Sequence, residues 1–337
     1  MSAPRELTER TELCLPDGRL NPAAVGWARR PLIDSGGLGR SRAGAPPRWG
    51  RTKRWEYWGI TTPSHVIGVT ISSLDYAGVH QFFVLDRGTG EQTERGALVP
   101  LAAGTVLPDA PPPFTAQAAG RGHRFAFQER PDGTRLLAEL GGLRLDARVA
   151  GGQGDALGVV VPWGEQRFQY TLKAPALAVT GSLWLGGEAH PIPAGSFAVL
   201  DRGRGRWPYR MTWNWAAGSG VVAGARTGLQ LGGAWTRGTG VTENALFLDG
   251  VCHPLPEELD WYADLARPER PWRIAGPRVD VELTPFGVRR AETNALIVAG
   301  RTVQAFGRFS GWIEDDAGVR RSVAGLEGWA EEANNRW

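Results

Sequence analysis

Short runs in which apolar and polar residues alternate, separated by glycine-rich turns, recur along most of this chain. Successive side chains of a strand point to opposite faces, so a period of two marks a half-buried β-strand. The runs His65–Ile71, Gln81–Leu85, Arg124–Glu129, Arg135–Leu140, Leu143–Val149, Phe168–Leu172 and Ala176–Thr180 read this way. So do Phe197–Leu200, Met211–Trp215, Gly220–Gly224, Thr227–Leu231, Ala245–Leu248, Arg278–Leu283, Ala295–Val298 and Thr302–Phe306. Turn signals such as Pro131-Asp-Gly133, Gly186-Gly187 and Asp249-Gly250 divide them. Only Glu257–Leu265 reads as a helix. Many short strands with glycine turns specify a sandwich or a barrel.

The chain also echoes itself. Val84-Leu-Asp-Arg-Gly-Thr-Gly90 matches Val199-Leu-Asp-Arg-Gly-Arg-Gly205, and Arg54-Trp-Glu-Tyr57 faces Arg167-Phe-Gln-Tyr170 at nearly the same offset. Pro63 faces Pro175, and Phe82 or Phe83 faces Phe197. A unit of this length is a domain, not a solenoid repeat. The 337 residues suffice for two domains. The expected architecture is all-β: an extended arm over residues 1–50, then tandem antiparallel barrels over 51–160 and 161–337. A small barrel either fills with side chains or holds one small ligand.

Charge is unevenly placed. Residues 1–54 hold eleven Lys/Arg against five Asp/Glu, whereas the whole chain is only +3. A basic arm would touch phosphate or a membrane surface, or wrap the domain and pair with its acidic surface; the second reading is preferred. Lysine occurs only at Lys53 and Lys173, which suggests codon usage rather than function. Two cysteines, Cys14 and Cys252, do not make a disulfide framework or a thiolate metal site. The N-terminus shows no apolar signal region, and no apolar run is long enough to span a bilayer. A cytoplasmic protein without integral membrane association is expected. Nucleotide-loop, nucleophile-elbow and His-x-x-x-His patterns are missing, so no cofactor and no metal are expected. Nor is there a nucleic-acid-binding motif. The oligomeric state is left open.

Specific motifs carry a family resemblance. Glu12-Leu-Cys-Leu-Pro-Asp-Gly-Arg19, Trp49-Gly-Arg-Thr-Lys-Arg-Trp-Glu-Tyr-Trp58, Asp201-Arg-Gly-Arg-Gly-Arg-Trp-Pro-Tyr209, Trp213-Asn-Trp215 and Thr242-Glu-Asn-Ala245 with Asp249-Gly250 resemble the DUF2804 family. The resemblance covers nearly the whole chain. More remotely, the chain is similar to tandem lipocalin-like proteins that include carotenoid hydratases, AttH-type proteins, fungal pericyclases and a yeast lipid-binding survival factor. That likeness implies two lipocalin-like barrels and an apolar or amphipathic small-molecule partner. It transfers no catalytic residue.

Candidate site residues come from the sequence itself. Asp201 precedes Gly-x-Gly, so it reads as a turn former or as the partner of Arg202 or Arg206. Its functional reading is a carboxylic acid kept protonated among tryptophans, able to donate a proton. The shared Asp-Arg-Gly favours a structural role; Trp207 and Tyr209, unique to the second copy, favour a ligand. Trp213 and Trp215 share one strand face and Asn214 takes the other. The two indoles form either a flat apolar wall that also favours a passing cation or a barrel plug. Trp55 and Tyr57 share a face opposite Glu56 and Trp58. The matching Gln169 favours a solvent-facing Glu56. Glu243, Asn244 and His253 flank one strand and turn, where His253 would serve as acid or base, or be structural beside Pro254. Two functions follow: a carrier of an apolar or amphipathic molecule, or an enzyme of acid-assisted isomerisation, hydration or cyclisation with Asp201, Glu243 or His253 as catalytic groups. A carbohydrate hydrolase with a tryptophan-lined carboxylate pair is the third reading.

Overall fold

The computed structural model describes residues 4–39, 49–295 and 298–336. The expected strand Ala295–Val298 and the expected arm therefore lie partly outside the described residues. Two compact units emerge, Glu6–Trp207 and Pro208–Trp337, the latter together with Met1–Arg5. Among the described residues no helix is long and apolar enough to cross a membrane.

The first unit is one antiparallel sheet that curls around its core. Its path runs through Gln92–Pro100, Ala77–Asp86, His65–Ser73, Thr52–Thr61, Glu188–Arg206, Arg167–Leu185, Leu143–Ala150, Gly133–Leu140, His123–Arg130, Phe114–Gly120 and Thr105–Val106. The two longest strands, Arg167–Leu185 and Glu188–Arg206, pair with register shifts between Ala174 and Leu177 and between Val179 and Gly181. Such bulges bend a strand and raise its twist. Gly181 sits at φ 152°, and a Cβ there would lie 2.3 Å from the Asp146 carbonyl oxygen. One strand can thus serve two neighbours, Leu157–Gly164 and Leu143–Ala150. The inner face buries Trp58, Ile67, Phe82, Phe125, Phe127 and Leu200.

The expected boundary at residue 160 falls inside the strand Leu157–Gly164. Both arms of the echo also lie in this one sheet, because Arg54–Tyr57 and Arg167–Tyr170 flank the same strand, Glu188–Arg206. The N-terminal segment is docked on this unit. Gly26–Ala28 pairs with Leu157–Gly164, Leu20 N–H donates to the Glu165 carbonyl, and Arg29 pairs with Asp155 and Glu6.

The second unit is a curled antiparallel sheet ordered Val251–Leu255, Asn244–Leu248, Ala225–Gly233, Arg210–Val222, Glu327–Arg336, Val298–Glu314, Val279–Ala295, Trp272–Gly276 and Asp260–Tyr262. Its core holds Leu229, Leu231, Trp272, Ile274, Phe309 and Leu326. Glu257–Leu265 is not a helix. Asp260–Tyr262 instead pairs with Trp272–Gly276, and the Asp264 carboxylate caps a turn by accepting from Ala266 and Arg267 N–H. Once a neighbouring strand has taken those backbone groups, they cannot close helical bonds.

Candidate functional site

Asp201-Arg-Gly-Arg-Gly-Arg206 reads as a turn in sequence but is the centre of the first sheet. Its upstream echo is the true turn: Asp86 ends a strand and its Oδ1 accepts from Gly88 and Thr89 N–H at 2.7 and 2.9 Å. Residues 201–206 have strand partners on both sides, Lys173 and Tyr57 opposite Asp201 and Leu172 and Glu56 opposite Arg202. The glycines there make room rather than turns. A Cβ at Gly203 would lie 2.1 Å from the Trp55 ring, and one at Gly205 would lie 2.1 Å from Gln169 Oε1.

Alternation then sorts the segment onto two faces. Asp201 stands with Gly203 and Gly205. Its Oδ1 meets Lys173 Nζ at 3.0 Å and accepts from Thr171 Oγ1 at 3.3 Å, while its Oδ2 accepts from Trp55 Nε1 at 3.0 Å. The Trp55 ring lies 5.5 Å from Trp207, and Trp207 lies 5.5 Å from Trp163, both edge-on. Trp207 Nε1 donates to Gln169 Oε1 at 2.6 Å. Opposite charge and donated hydrogen bonds favour an ionised carboxyl group. Asp201 is surrounded by an ammonium and two hydrogen-bond donors rather than by bare indole faces. Its charge partner is Lys173, not Arg202 or Arg206. Lys173, Thr171 and Gln169 are not among the candidate site residues read from the sequence, although they alternate with Phe168, Tyr170 and Leu172 there.

Lys53 lies on this same face, opposite Gly205. Its ammonium sits 4.6 Å over the Tyr76 ring. Both lysines of the chain are thus buried, at 3% and 4% exposure, on one face of one sheet. Burial pushes Lys53 down from 10.5 to about 8. The folded state then loses this proton before the unfolded state does, so folding gains stability as pH rises from about 8 to 10.5. Relative to a Lys53→Met variant, the wild-type protein will gain urea resistance across that window. Parallel pH curves for the two proteins would refute the assignment.

The other face of residues 202–206 points into the core. Arg202 Nε donates to Glu56 Oε2 at 3.1 Å, Arg202 Nη2 pairs with Glu129, and the guanidinium lies 4.5 Å over the Phe114 ring. Burial opposes this charge, but Glu56 and Glu129 outweigh it and hold the Arg202 pKa above its ordinary value. Arg204 donates to the carbonyls of Pro108, Trp55 and Gly203; burial and then Arg202 push it down to about 10. Glu56 is fully buried beside Trp58, whose Nε1 donates to it at 3.3 Å. That overturns the solvent-facing Glu56 expected from Gln169: its partner, Arg202, is remote in sequence and joins it only across the sheet.

The remaining candidates belong to the second unit, where Tyr209 is exposed just ahead of the strand Arg210–Val222. Trp213 and Trp215 share a face as expected. Trp213 Nε1 donates to Glu331 Oε1 at 3.0 Å, and Trp215 Nε1 donates to Gln230 Oε1 at 2.8 Å. Asn214 points the other way and donates to Glu332 Oε2 at 3.1 Å. Glu243 is buried and accepts from Trp235 Nε1 at 2.5 Å. Asn244 accepts from Gly232 N–H and donates to the Glu257 carbonyl, which ties two loops together. His253 Nδ1 comes within 3.4 Å of Asp316. Trp213, Glu243 and His253 thus take separate partners. An open basin of about 420 Å³ does exist in this unit, but Arg210, Glu292, Arg301, Asn334 and Arg336 line it. Among the described residues no cluster of three His, Cys, Asp or Glu side chains could hold a metal.

A common device runs through both units: an indole N–H donates to a carboxylate or carboxamide, with a glycine leaving space for the ring or the acid. The tryptophans are therefore polar partners as much as walls. Residues 4–337 match the family described as a domain of unknown function, DUF2804. The chain belongs to the DUF2804 family. Among solved structures, an AttH-type protein of Nitrosomonas europaea aligns with this DUF2804 protein at TM-score 0.50 and 14% identity, over 86% of this chain and 94% of that one. Kievitone hydratase from Nectria haematococca aligns at TM-score 0.47 and 12% identity, over 86% and 89%. No curated protein matches the chain. The AttH likeness places the DUF2804 protein in the all-β, tandem lipocalin-like architecture that its two curled antiparallel sheets display.

Proposed function

We propose that this protein binds an apolar or amphipathic small molecule against the Trp55, Trp163 and Trp207 face of its first sheet, with the Asp201–Lys173 pair as polar anchor. The pair itself carries the reading. Taking two charges out of water costs several kcal/mol per ion, and a buried pair seldom repays that in stability. Its presence beside the partly exposed indoles of Trp55 and Trp163 is better explained by a ligand that uses it. Flat rings suit a polyene or a fused-ring body, and the charges suit one hydroxyl, carbonyl or carboxylate on it.

Where the ligand reacts, the chemistry is proton transfer: Asp201 accepts a proton, the Lys173 ammonium supplies one, and the indoles shield a cationic intermediate. Isomerisation, hydration and cyclisation fit that scheme. The likeness to an AttH-type protein is one of fold.

Intrinsic tryptophan fluorescence provides the test. Terpenoids or long-chain fatty acids will quench or shift it saturably, and Asp201→Asn will weaken the binding of hydroxylated ligands about tenfold, the effect of roughly 1.4 kcal/mol from one charge-assisted hydrogen bond. Saturation by oligosaccharides alone, or an Asp201→Asn protein indistinguishable from wild type, would reject the assignment.

A further inference from the structure

A second constellation sits at the hairpin between Thr52–Thr61 and His65–Ser73 and shares no residue with the Asp201 face. Thr62 locks this turn. Its Oγ1 accepts from Ser64 N–H at 3.2 Å and from His65 N–H at 2.8 Å, and it donates to the His65 carbonyl at 3.1 Å. The lock leaves Ser64 exposed, with its Oγ 2.8 Å from His65 Nδ1. The imidazole is buried at 4% side-chain exposure, and its other nitrogen, Nε2, has no hydrogen-bond partner among the described residues and lies 3.9 Å from Asp86 Oδ2, close enough for charge attraction and for a hydrogen bond after a small approach. Asp86 is held in turn, because its other oxygen accepts the Gly88 and Thr89 N–H groups. Arg87 completes the cluster, bonding the Thr62 carbonyl through Nη1 and the Ser64 carbonyl through its backbone N–H. The His190 ring stands edge-on to His65 at 4.8 Å.

A nucleophile within hydrogen-bond reach of a base, which a third group orients, is the arrangement nucleophilic catalysis needs, whatever the order in sequence. With the Ser64 hydroxyl donating to Nδ1, the ring proton occupies Nε2, the nitrogen that faces Asp86. We propose that Ser64, His65 and Asp86 form a nucleophilic triad that accepts acyl groups from small, unhindered esters. Ser64 Oγ bonds to the ester carbonyl carbon while its proton passes to His65 Nδ1. The carbonyl–alkoxy bond then breaks, and the alcohol departs with that proton. Water, activated by the same imidazole, cleaves the acyl-serine and returns the hydroxyl. Arg87 brings positive charge to the rim where the oxyanion develops. Asp86 is a positioning residue, since it acts through His65.

The protonation states agree. Burial, then His190, holds His65 below the usual histidine range, so the imidazole is neutral near pH 7 and able to take a proton. Backbone hydrogen bonds from Thr89 and Gly88 hold Asp86 below the usual carboxylate range, so it is ionised. A purely architectural Ser64–His65 bond would share the distances but not the reactivity.

The full chain will be treated with a fluorophosphonate probe and, separately, with p-nitrophenyl acetate. An adduct mapped to Ser64 is expected, lost in Ser64→Ala. His65→Gln will slow labelling about 100-fold, the size of a general-base contribution. Asp86→Asn will lower the midpoint of the labelling pH profile, because the Asp86 charge raises the His65 pKa. An exposed turn tolerates Ser64→Ala, so a folded variant is available as the blank. No adduct on Ser64, or labelling of His65→Gln at the wild-type rate, overturns the triad.

Discussion

Replacing Arg202 with methionine will destabilise the protein by about 3–5 kcal/mol, the cost of leaving a buried charge without its partner. Glu56 is 0% exposed, and Arg202 is the charged group that meets it. Methionine fills much of the volume of the arginine stem, so a cavity contributes little and the loss reports mainly on charge. Glu129, partly exposed, can turn towards water, but Glu56 cannot. The variant will unfold at clearly lower urea. Adding Glu56→Gln to Arg202→Met removes the stranded charge and will recover much of the loss. A double variant no more stable than the single would assign the effect to packing, and a single variant within 1 kcal/mol of wild type would show that the core tolerates a bare carboxylate.

The same arginine shows what the sequence makes legible. Alternation identifies strands because one face of each is buried, and the faces of Trp55 and Glu56, or of Trp213 and Asn214, follow from period two alone. Which face is the core does not follow when both carry polar groups. Glu56 resembles an exposed residue until Arg202 is placed across the sheet, and Asp201 resembles a turn former because its echo at Asp86 is one. Local chemistry cannot separate these two aspartates: both precede Arg-Gly-x-Gly, and only strand partners on either side of residues 201–206 turn the glycines from hinges into clearances. For that reason the echo, both copies of which lie in the first sheet, does not mark the division between the two units. The buried pair of Asp201 and Lys173 was half visible. Lysine is so scarce in this arginine-rich chain that its two positions stand out, but the sequence suggests codon usage for them, and only the fold shows both buried on one face. Arginine stays charged in any protein environment, whereas burial readily lowers the pKa of a lysine, as it does for Lys53.

Arg206→Ala will release the N-terminal segment from the first unit and cost about 3 kcal/mol. The guanidinium is fully buried and reaches three carbonyls of that segment: Nε donates to Leu38, Nη1 to Gly18 and Nη2 to Gly37. It also lies 5.1 Å over the Phe168 ring, so one side chain ties two loops of the segment to the edge of the sheet. Alanine leaves those carbonyls without their charged donors, in a place where water reaches them only if the segment lifts away. Limited proteolysis will therefore cut within residues 15–39 before the sheet, and the cut will accompany a fall in the unfolding midpoint. Arg206→Lys will recover only part of the loss, because a single ammonium cannot reproduce the planar fork that reaches separated acceptors. Equal protease resistance in wild type and Arg206→Ala would mean that the short strand Gly26–Ala28, paired with Leu157–Gly164, holds the segment without it.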